Sequence, residues 1–149
     1  MKIDLTFLIG NDGFKTPFDF EITQKEKDLR INANALGKVT NVLGSLQLDM
    51  RVSADLSAVC ARCLGEAVEK IEFDIKEKVE DDENLKGSLL DIGNIALQNI
   101  YLNMPLRFLC RSDCKGLCSE CGMDLNKGQC KCNDEAIDER LSILKKLLD

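Results

Sequence analysis

The first half of the chain alternates apolar and polar residues with a period of two. Ile3, Leu5, Phe7 and Ile9 alternate with Lys2, Asp4 and Thr6. Phe18, Phe20 and Ile22 alternate with Asp19 and Glu21, and Leu29, Ile31, Ala33 and Ala35 with Arg30, Asn32 and Asn34. The longest run sets Leu46, Leu48, Met50, Val52, Ala54, Leu56 and Ala58 against Gln47, Asp49, Arg51, Ser53, Asp55 and Ser57. A last run sets Ile71, Phe73, Ile75 and Val79 against Lys70, Glu72, Asp74, Lys76 and Lys78. Successive side chains of a strand point to opposite faces, so this pattern predicts an antiparallel sheet with one buried and one wet face. Turn signals at Gly10-Asn11-Asp12-Gly13, Gly37-Lys38, Gly44-Ser45 and Leu64-Gly65 are expected to separate the runs.

The period then changes. Residues 80–87 are polar and acidic and read as a solvated connector. Ser88-Leu89-Leu90-Asp91 has the spacing of a helix start. Ile92, Ile95, Ala96, Asn99, Ile100 and Asn103 share a helical face, widened by Leu97, Tyr101 and Leu102, and Pro105 should end that helix. A second helix is expected from Asn133 to the last residue, with Asn133 as its cap and Asp134 and Glu135 at its positive end. Ile137, Leu141, Leu144, Leu147 and Leu148 form its apolar stripe, read first as core packing, with a partner-binding face as the alternative for a terminal helix. Between the helices lie six cysteines and little that could form a core.

Composition narrows the chemistry. The 149 residues suit one domain with a small appendage. No apolar run approaches the roughly 20 residues that span a bilayer, and the first nine residues do not form a signal-peptide core. The expected address is cytoplasmic, where thiols stay reduced, so the eight cysteines are read as metal ligands or redox groups rather than disulfides. There is no histidine. That removes Ser-His and Cys-His catalysis and the two-histidine metalloprotease helix. No catalytic residue, membrane partner or small-molecule substrate is expected. The formal charge is −6. A chain this acidic binds nucleic acid poorly through non-specific contacts, although a local basic patch could dock RNA.

The cysteines fall in four close pairs: Cys60-x2-Cys63, Cys110-x3-Cys114, Cys118-x2-Cys121 and Cys130-x-Cys132. Zinc favours tetrahedral thiolate sites, and two neighbouring cysteines supply one edge of the tetrahedron. Gly122 after Cys121 supplies a residue able to take positive φ in the turn. Cys60-Ala61-Arg62-Cys63 falls where two long strands should turn over, which would present both sulfurs beyond the sheet end. Four pairs make two four-cysteine sites. The pairing that closes the shorter loop is Cys118, Cys121, Cys130 and Cys132, leaving Cys60, Cys63, Cys110 and Cys114. Spacing leaves crossed pairings, a single site with free cysteines, and rubredoxin-like iron open. Sites closed by four thiolates are structural rather than catalytic. Each such zinc site carries −2, so two would take the formal −6 to about −10. From Leu106 to Cys132, Arg107, Arg111, Lys115, Lys127 and Lys131 outnumber Asp113, Glu120 and Asp124, and their first role is to offset thiolate charge.

The expected architecture is α+β. An antiparallel, partly barrel-like β-sheet carries a packed helix, a cysteine-rich zinc module and a C-terminal helix. The division is 1–105, β-rich with one helix, and 106–149, the zinc module with the terminal helix.

Longer stretches carry a resemblance. Cys60-Ala61-Arg62-Cys63-Leu64, the helix end at Asn103-Met104-Pro105-Leu106, the run from Cys110 through Cys114-Lys115-Gly116-Leu117-Cys118-Ser119-Glu120-Cys121-Gly122-Met123-Asp124-Leu125-Asn126, Cys130-Lys131-Cys132 and Ile137-Asp138-Glu139-Arg140-Leu141 resemble the YceD family. Its members are described as large ribosomal RNA subunit accumulation proteins. The resemblance implies a bacterial or organellar ribosome biogenesis factor, not an enzyme, that supports 23S rRNA accumulation and large-subunit assembly. It implies rRNA, a large-subunit ribosomal protein, or both as partners. The family's cysteine pairs fall on the eight cysteines named above. The acidic balance suits a basic protein partner, because complementary charge speeds encounter. The alternative from the residues themselves is a zinc-thiolate redox sensor, in which oxidation would eject the metal.

Overall fold

The computed structural model describes residues 1–79 and 85–132. Most of the acidic connector, 80–84, and the helix expected over 133–149 lie outside the described residues.

Four long strands form an antiparallel meander: β2 (Lys15–Glu26), β3 (Leu29–Val42), β4 (Ser45–Val59) and β5 (Glu66–Val79), hydrogen-bonded in that order. A short strand β1 (Lys2–Asp4) and a one-turn helix α1 (Thr6–Ile9) precede them. Strands β6 (Leu85–Lys86) and β7 (Leu89–Asp91) and the helix α2 (Ile92–Asn103) follow. β1, β7 and β6 make a second, three-stranded sheet.

The alternation read from sequence is the alternation of burial. Phe18, Phe20 and Ile22 of β2, Ile31, Ala33 and Ala35 of β3, and Leu48, Met50, Val52, Ala54 and Leu56 of β4 are buried on one face. The register stacks them in rungs, such as Ala35 opposite Val52 and Met50 opposite Ile75. Ile92, Ile95, Ala96 and Ile100 of α2, with Leu5, Leu8 and Leu90, complete the same cluster. The Tyr101 hydroxyl donates to Glu26 Oε1 at 2.8 Å and accepts from Gln24 Nε2 at 3.2 Å, tying α2 to β2.

Several expectations are corrected. Among the described residues the sheet is open, with β2 and β5 at its two edges, so it is not barrel-like. The second sheet and α2 cover its apolar face without closure. Pro17 sits on edge strand β2, where its missing N–H costs no inner ladder bond. The strand expected over residues 2–9 stops at Asp4. There the side chain accepts from Thr6 N at 2.8 Å and from the Thr6 hydroxyl, and the chain bends into α1. Leu5 and Leu8 are then buried at helical spacing, while Phe7 and Ile9 are exposed. Gly37 is not in a turn: β3 runs through it to Val42. Leu85 and Lys86, expected within a connector, pair with β7. The helix cap is Asp91 rather than Ser88, with Asp91 Oδ1 accepting from Asn94 N at 3.2 Å. Met104 leaves the helix in an extended conformation, as a residue before proline should.

The β3–β4 turn holds two residues with positive φ, Leu43 at 52° and Gly44 at 83°. This is the primed turn that two-residue hairpins prefer, and Asn-Gly fits it best. Leu43 is 88% exposed, so its side chain contributes little packing to offset the left-handed backbone. Leu43→Asn is expected to stabilise the chain by about 0.5–1 kcal/mol, raising the melting temperature by a few degrees. An unchanged or lower melting temperature would show that the turn carries no strain.

Candidate metal centres

The β4–β5 connection, residues 60–65, is a cysteine knuckle. The Leu64 N–H donates to Cys60 O at 3.0 Å and the Cys60 N–H to Gly65 O at 2.7 Å, with Leu64 at φ 58°. A second knuckle, residues 118–123, repeats this geometry. The Gly122 N–H donates to Cys118 O at 2.9 Å and the Cys118 N–H to Met123 O at 2.8 Å, with Gly122 at φ 71°. The same backbone turn thus takes leucine in one copy and glycine in the other. In each, the turn turns both C-x2-C sulfurs to one side.

All eight predicted cysteines come together in two quartets, Cys60, Cys63, Cys110 and Cys114, and Cys118, Cys121, Cys130 and Cys132. This is the short-loop pairing, and no crossed grouping occurs. Within each quartet the sulfurs lie within 4.8 Å of one another. Cys60 Sγ is 3.9 Å from Cys114 Sγ and Cys63 Sγ is 3.6 Å from Cys110 Sγ. A zinc–sulfur bond of about 2.3 Å sets a tetrahedral edge of about 3.8 Å, so four thiolates placed this way fit a metal of that size. Tetrahedral iron has the same requirement. Cys60, Cys114 and Cys118 are buried, whereas Cys110 and Cys121 are exposed.

Four sulfurs so close share their protons unevenly. Backbone N–H groups, first that of Cys63 and then those of Cys110 and Arg62, draw Cys60 down to about 6. The N–H groups of Cys121 and Glu120 draw Cys118 down to about 7. Hydrogen bonds to Cys63 and Cys114, together with burial, push Cys110 up to about 12. The Cys121 sulfur and burial do the same to Cys132, again to about 12. A divalent cation can stand in for those retained protons, and this donor set suits a soft, tetrahedral ion.

The first quartet joins the sheet to the segment after α2. The Ala61 N–H donates to Phe108 O at 2.9 Å, and Phe108 packs against both the main core and the cluster of Cys60, Ala67 and Cys114. Sequence reasoning assigned no role to the side chains that brace this joint. Arg62 Nη1 donates to Cys114 O at 2.8 Å, with Ser112 O at 3.5 Å, and Arg62 O accepts from the Leu117 N–H at 3.1 Å. Gly116, at φ 79°, lies so close that a Cβ there would come within 3.0 Å of Arg62 O. Asn126 Nδ2 reaches Cys114 Sγ at 3.4 Å, and its Oδ1 accepts from Lys115 N at 2.8 Å and Arg111 Nη2 at 2.7 Å. Burial pushes the Cys114 thiol up, but the Asn126 amide and the Gly116 N–H hold it below its ordinary value. Arg62 stands inside the first C-x2-C pair and Asn126 between the third and fourth pairs, but the Cys114 carbonyl and sulfur that they reach lie 52 and 12 residues away.

Arg62 carries a planar fork that a lysine does not reproduce. Arg62→Lys is expected to lower the stability of the chain as purified by about 1–2 kcal/mol, read from thermal unfolding. A melting curve equal to wild type would show that the two carbonyls need no partner.

Among the described residues no helix is long and apolar enough to cross a membrane. Over 50 residues the chain is 36% identical to the large ribosomal RNA subunit accumulation protein YCED homolog 1, chloroplastic, of Arabidopsis thaliana, covering 34% of this chain and 16% of that protein. Over 88 residues it is 31% identical to an uncharacterized protein of Mycobacterium leprae, covering 50% of this chain and 40% of that one. The chain therefore spans well under half the length of these curated relatives. No solved structure matches it. The sequence profile described as large ribosomal RNA subunit accumulation protein YceD matches residues 48–148, from near the start of β4 through both quartets, and the chain belongs to that family.

Proposed function

We propose that this protein is a non-enzymatic factor in ribosome biogenesis that supports 23S rRNA accumulation and large-subunit assembly in the cytoplasm. Its eight cysteines hold two structural zinc ions, one per quartet. The observation that carries the ribosomal role is the family match over residues 48–148. The closed four-sulfur geometry supports structural zinc, because a catalytic zinc keeps a position open for water. On this reading residues 1–105 are the β-rich domain and 106–149 the zinc-bearing part, with Cys60 and Cys63 reaching across. The partner is rRNA, a large-subunit ribosomal protein, or both. The acidic balance favours contact with a basic ribosomal protein, since opposite charge speeds encounter.

The test is a pull-down from cell extract at moderate salt with the tagged, metal-loaded chain. Recovery of 23S precursor or a large-subunit protein, lost in a variant with both knuckles replaced by serine, is the expected result. Recovery of neither by the wild-type chain would overturn the ribosomal role. Metal analysis giving fewer than two zinc ions per chain would overturn the two-site reading by itself.

A further inference from the structure

We propose that Asn126 is a positioning residue that couples the two cysteine quartets, so that a thiophilic divalent metal filling one prepares the other. The inference rests on the reading of both quartets as metal sites.

Three residues separate Cys114, the last sulfur of the first quartet, from Cys118, the first of the second. That short stretch is held from both sides. On one side, Arg62 bonds Cys114 O and accepts from Leu117 N, while Gly116 lies against the Arg62 backbone. On the other, Leu117 pairs with Asp124, and the Leu125 N–H donates to Gly116 O at 2.9 Å. The segment 123–126 therefore lies along 116–118, and it leads directly out of the second knuckle through the Cys118–Met123 bond.

Asn126 is where this segment touches the first quartet. Asp124 fixes its orientation: Asp124 Oδ1 accepts from Asn126 N at 3.0 Å and from Asn126 Nδ2 at 2.8 Å. With the amide so held, the remaining N–H capacity of Nδ2 meets Cys114 Sγ, and Oδ1 takes the Lys115 N–H and the Arg111 guanidinium. Arg111 and Lys115 directly follow Cys110 and Cys114. One side chain thus holds a sulfur of the first quartet and the backbone beside it, while its own place depends on the second knuckle. An ion in the first quartet would hold Cys114 Sγ where the Asn126 amide meets it, so metal there also holds Asn126 in place. By linkage the benefit is mutual: whatever orders residues 118–126 also aids the first quartet, and to the same extent.

Cobalt(II) is the probe, because its thiolate bands report four-sulfur sites, and native mass spectrometry counts chains with zero, one and two ions. The full wild-type chain is expected to pass from empty to doubly filled with the one-metal form minor at half saturation. Opening the second quartet with Cys121→Ser and Cys132→Ser is expected to weaken cobalt at the first by ~10-fold or more, the scale of an outer-shell partner. Asn126→Ala should weaken the first quartet directly and let the one-metal form accumulate. In that background the serine changes should alter the first quartet by less than ~3-fold, because the coupling is already cut. Asn126→Asp, which keeps the acceptor for Lys115 and Arg111 but loses the N–H to Cys114, should behave like Asn126→Ala. Far-UV circular dichroism of each variant confirms that the sheet has formed.

A first quartet indifferent to the serine changes would overturn the coupling, as would an equal loss in both backgrounds or wild-type affinity in Asn126→Asp. Two ions bound independently sink the coupling and leave the structural-metal reading standing. No cobalt uptake by the wild type sinks both.

Discussion

Removing metal with a strong chelator is expected to unfold residues 106–132 while the strands of the main sheet stay protected. The two regions are held by different forces. The sheet and α2 share an apolar cluster that includes Leu48, Met50, Val52, Leu56, Ile92 and Ile100. From 106 to 132 the buried residues with side chains are Cys114 and Cys118, and Leu106 is fully exposed. On the two-zinc reading, the segment's order therefore depends on its sulfurs sharing an ion. Structural zinc contributes apparent free energies of about 10–16 kcal/mol in small fingers, against about 5–15 kcal/mol for the stability of a whole domain. Hydrogen exchange should show the amides of Cys114, Leu117, Leu125 and Lys127 losing protection on chelation, and those of Val52 and Ala54 keeping it. The joint at Ala61 and Phe108 should loosen, fraying the knuckle ends of β4 and β5. Acid should act in the same direction. Cys110 and Cys132, pushed up to about 12, give up protons when a metal binds, so affinity falls as pH falls. Equal protection of residues 106–132 with and without chelator would refute this picture.

What the sequence makes visible follows from how local each signal is. The strand pattern of β2 to β5 is carried by neighbours two residues apart, so it can be read directly. So can the two knuckles, because C-x2-C already contains the turn that aims both sulfurs. The grouping into quartets is harder. The shorter loop favours it, and the fold brings Cys60 and Cys110 together only because β5, β7 and α2 return the chain to the sheet end. Whether the sheet closes depends on what covers its inner face, and no periodicity encodes that.

The local misreadings have local physical causes. Asp4 occupies a polar slot of an alternating run, yet its carboxylate captures Thr6 and starts a helical turn. Ser88 and Asp91 both have cap chemistry, and pairing of Leu89–Asp91 with β1 excludes the earlier start. Arg62 and Asn126 look like ordinary polar residues in cysteine-rich segments. Their importance lies in a carbonyl and a sulfur that sequence distance conceals, 52 residues away for Arg62 and Cys114.

Gly37→Val is expected to destabilise the chain by about 3 kcal/mol, at the upper end for overpacking a core. The residue faces Met50 across the β3–β4 ladder, between Ala35 and Val39, both completely buried. A Cβ at Gly37 would lie 2.5 Å from Met50 Cβ and 2.6 Å from Met50 Cα, and would also meet the Asp49 carbonyl oxygen. Two of those three atoms are backbone, so no rotamer change can relieve the clash. The strands must separate in the middle of the sheet, where β4 is bonded on its other side to β5 and has no room to yield. The glycine is needed here for close approach and not for a turn, which is the second meaning a glycine inside a strand pattern can have. Leu36→Thr is the control. Leu36 is the neighbouring residue, points to the wet face and is 55% exposed, so its replacement should stay within about 0.5 kcal/mol. Urea unfolding with unchanged slope separates the two, with a clearly lower midpoint for Gly37→Val only. Equal midpoints would mean that the strands part there without cost and that the close approach of β3 and β4 needs no glycine.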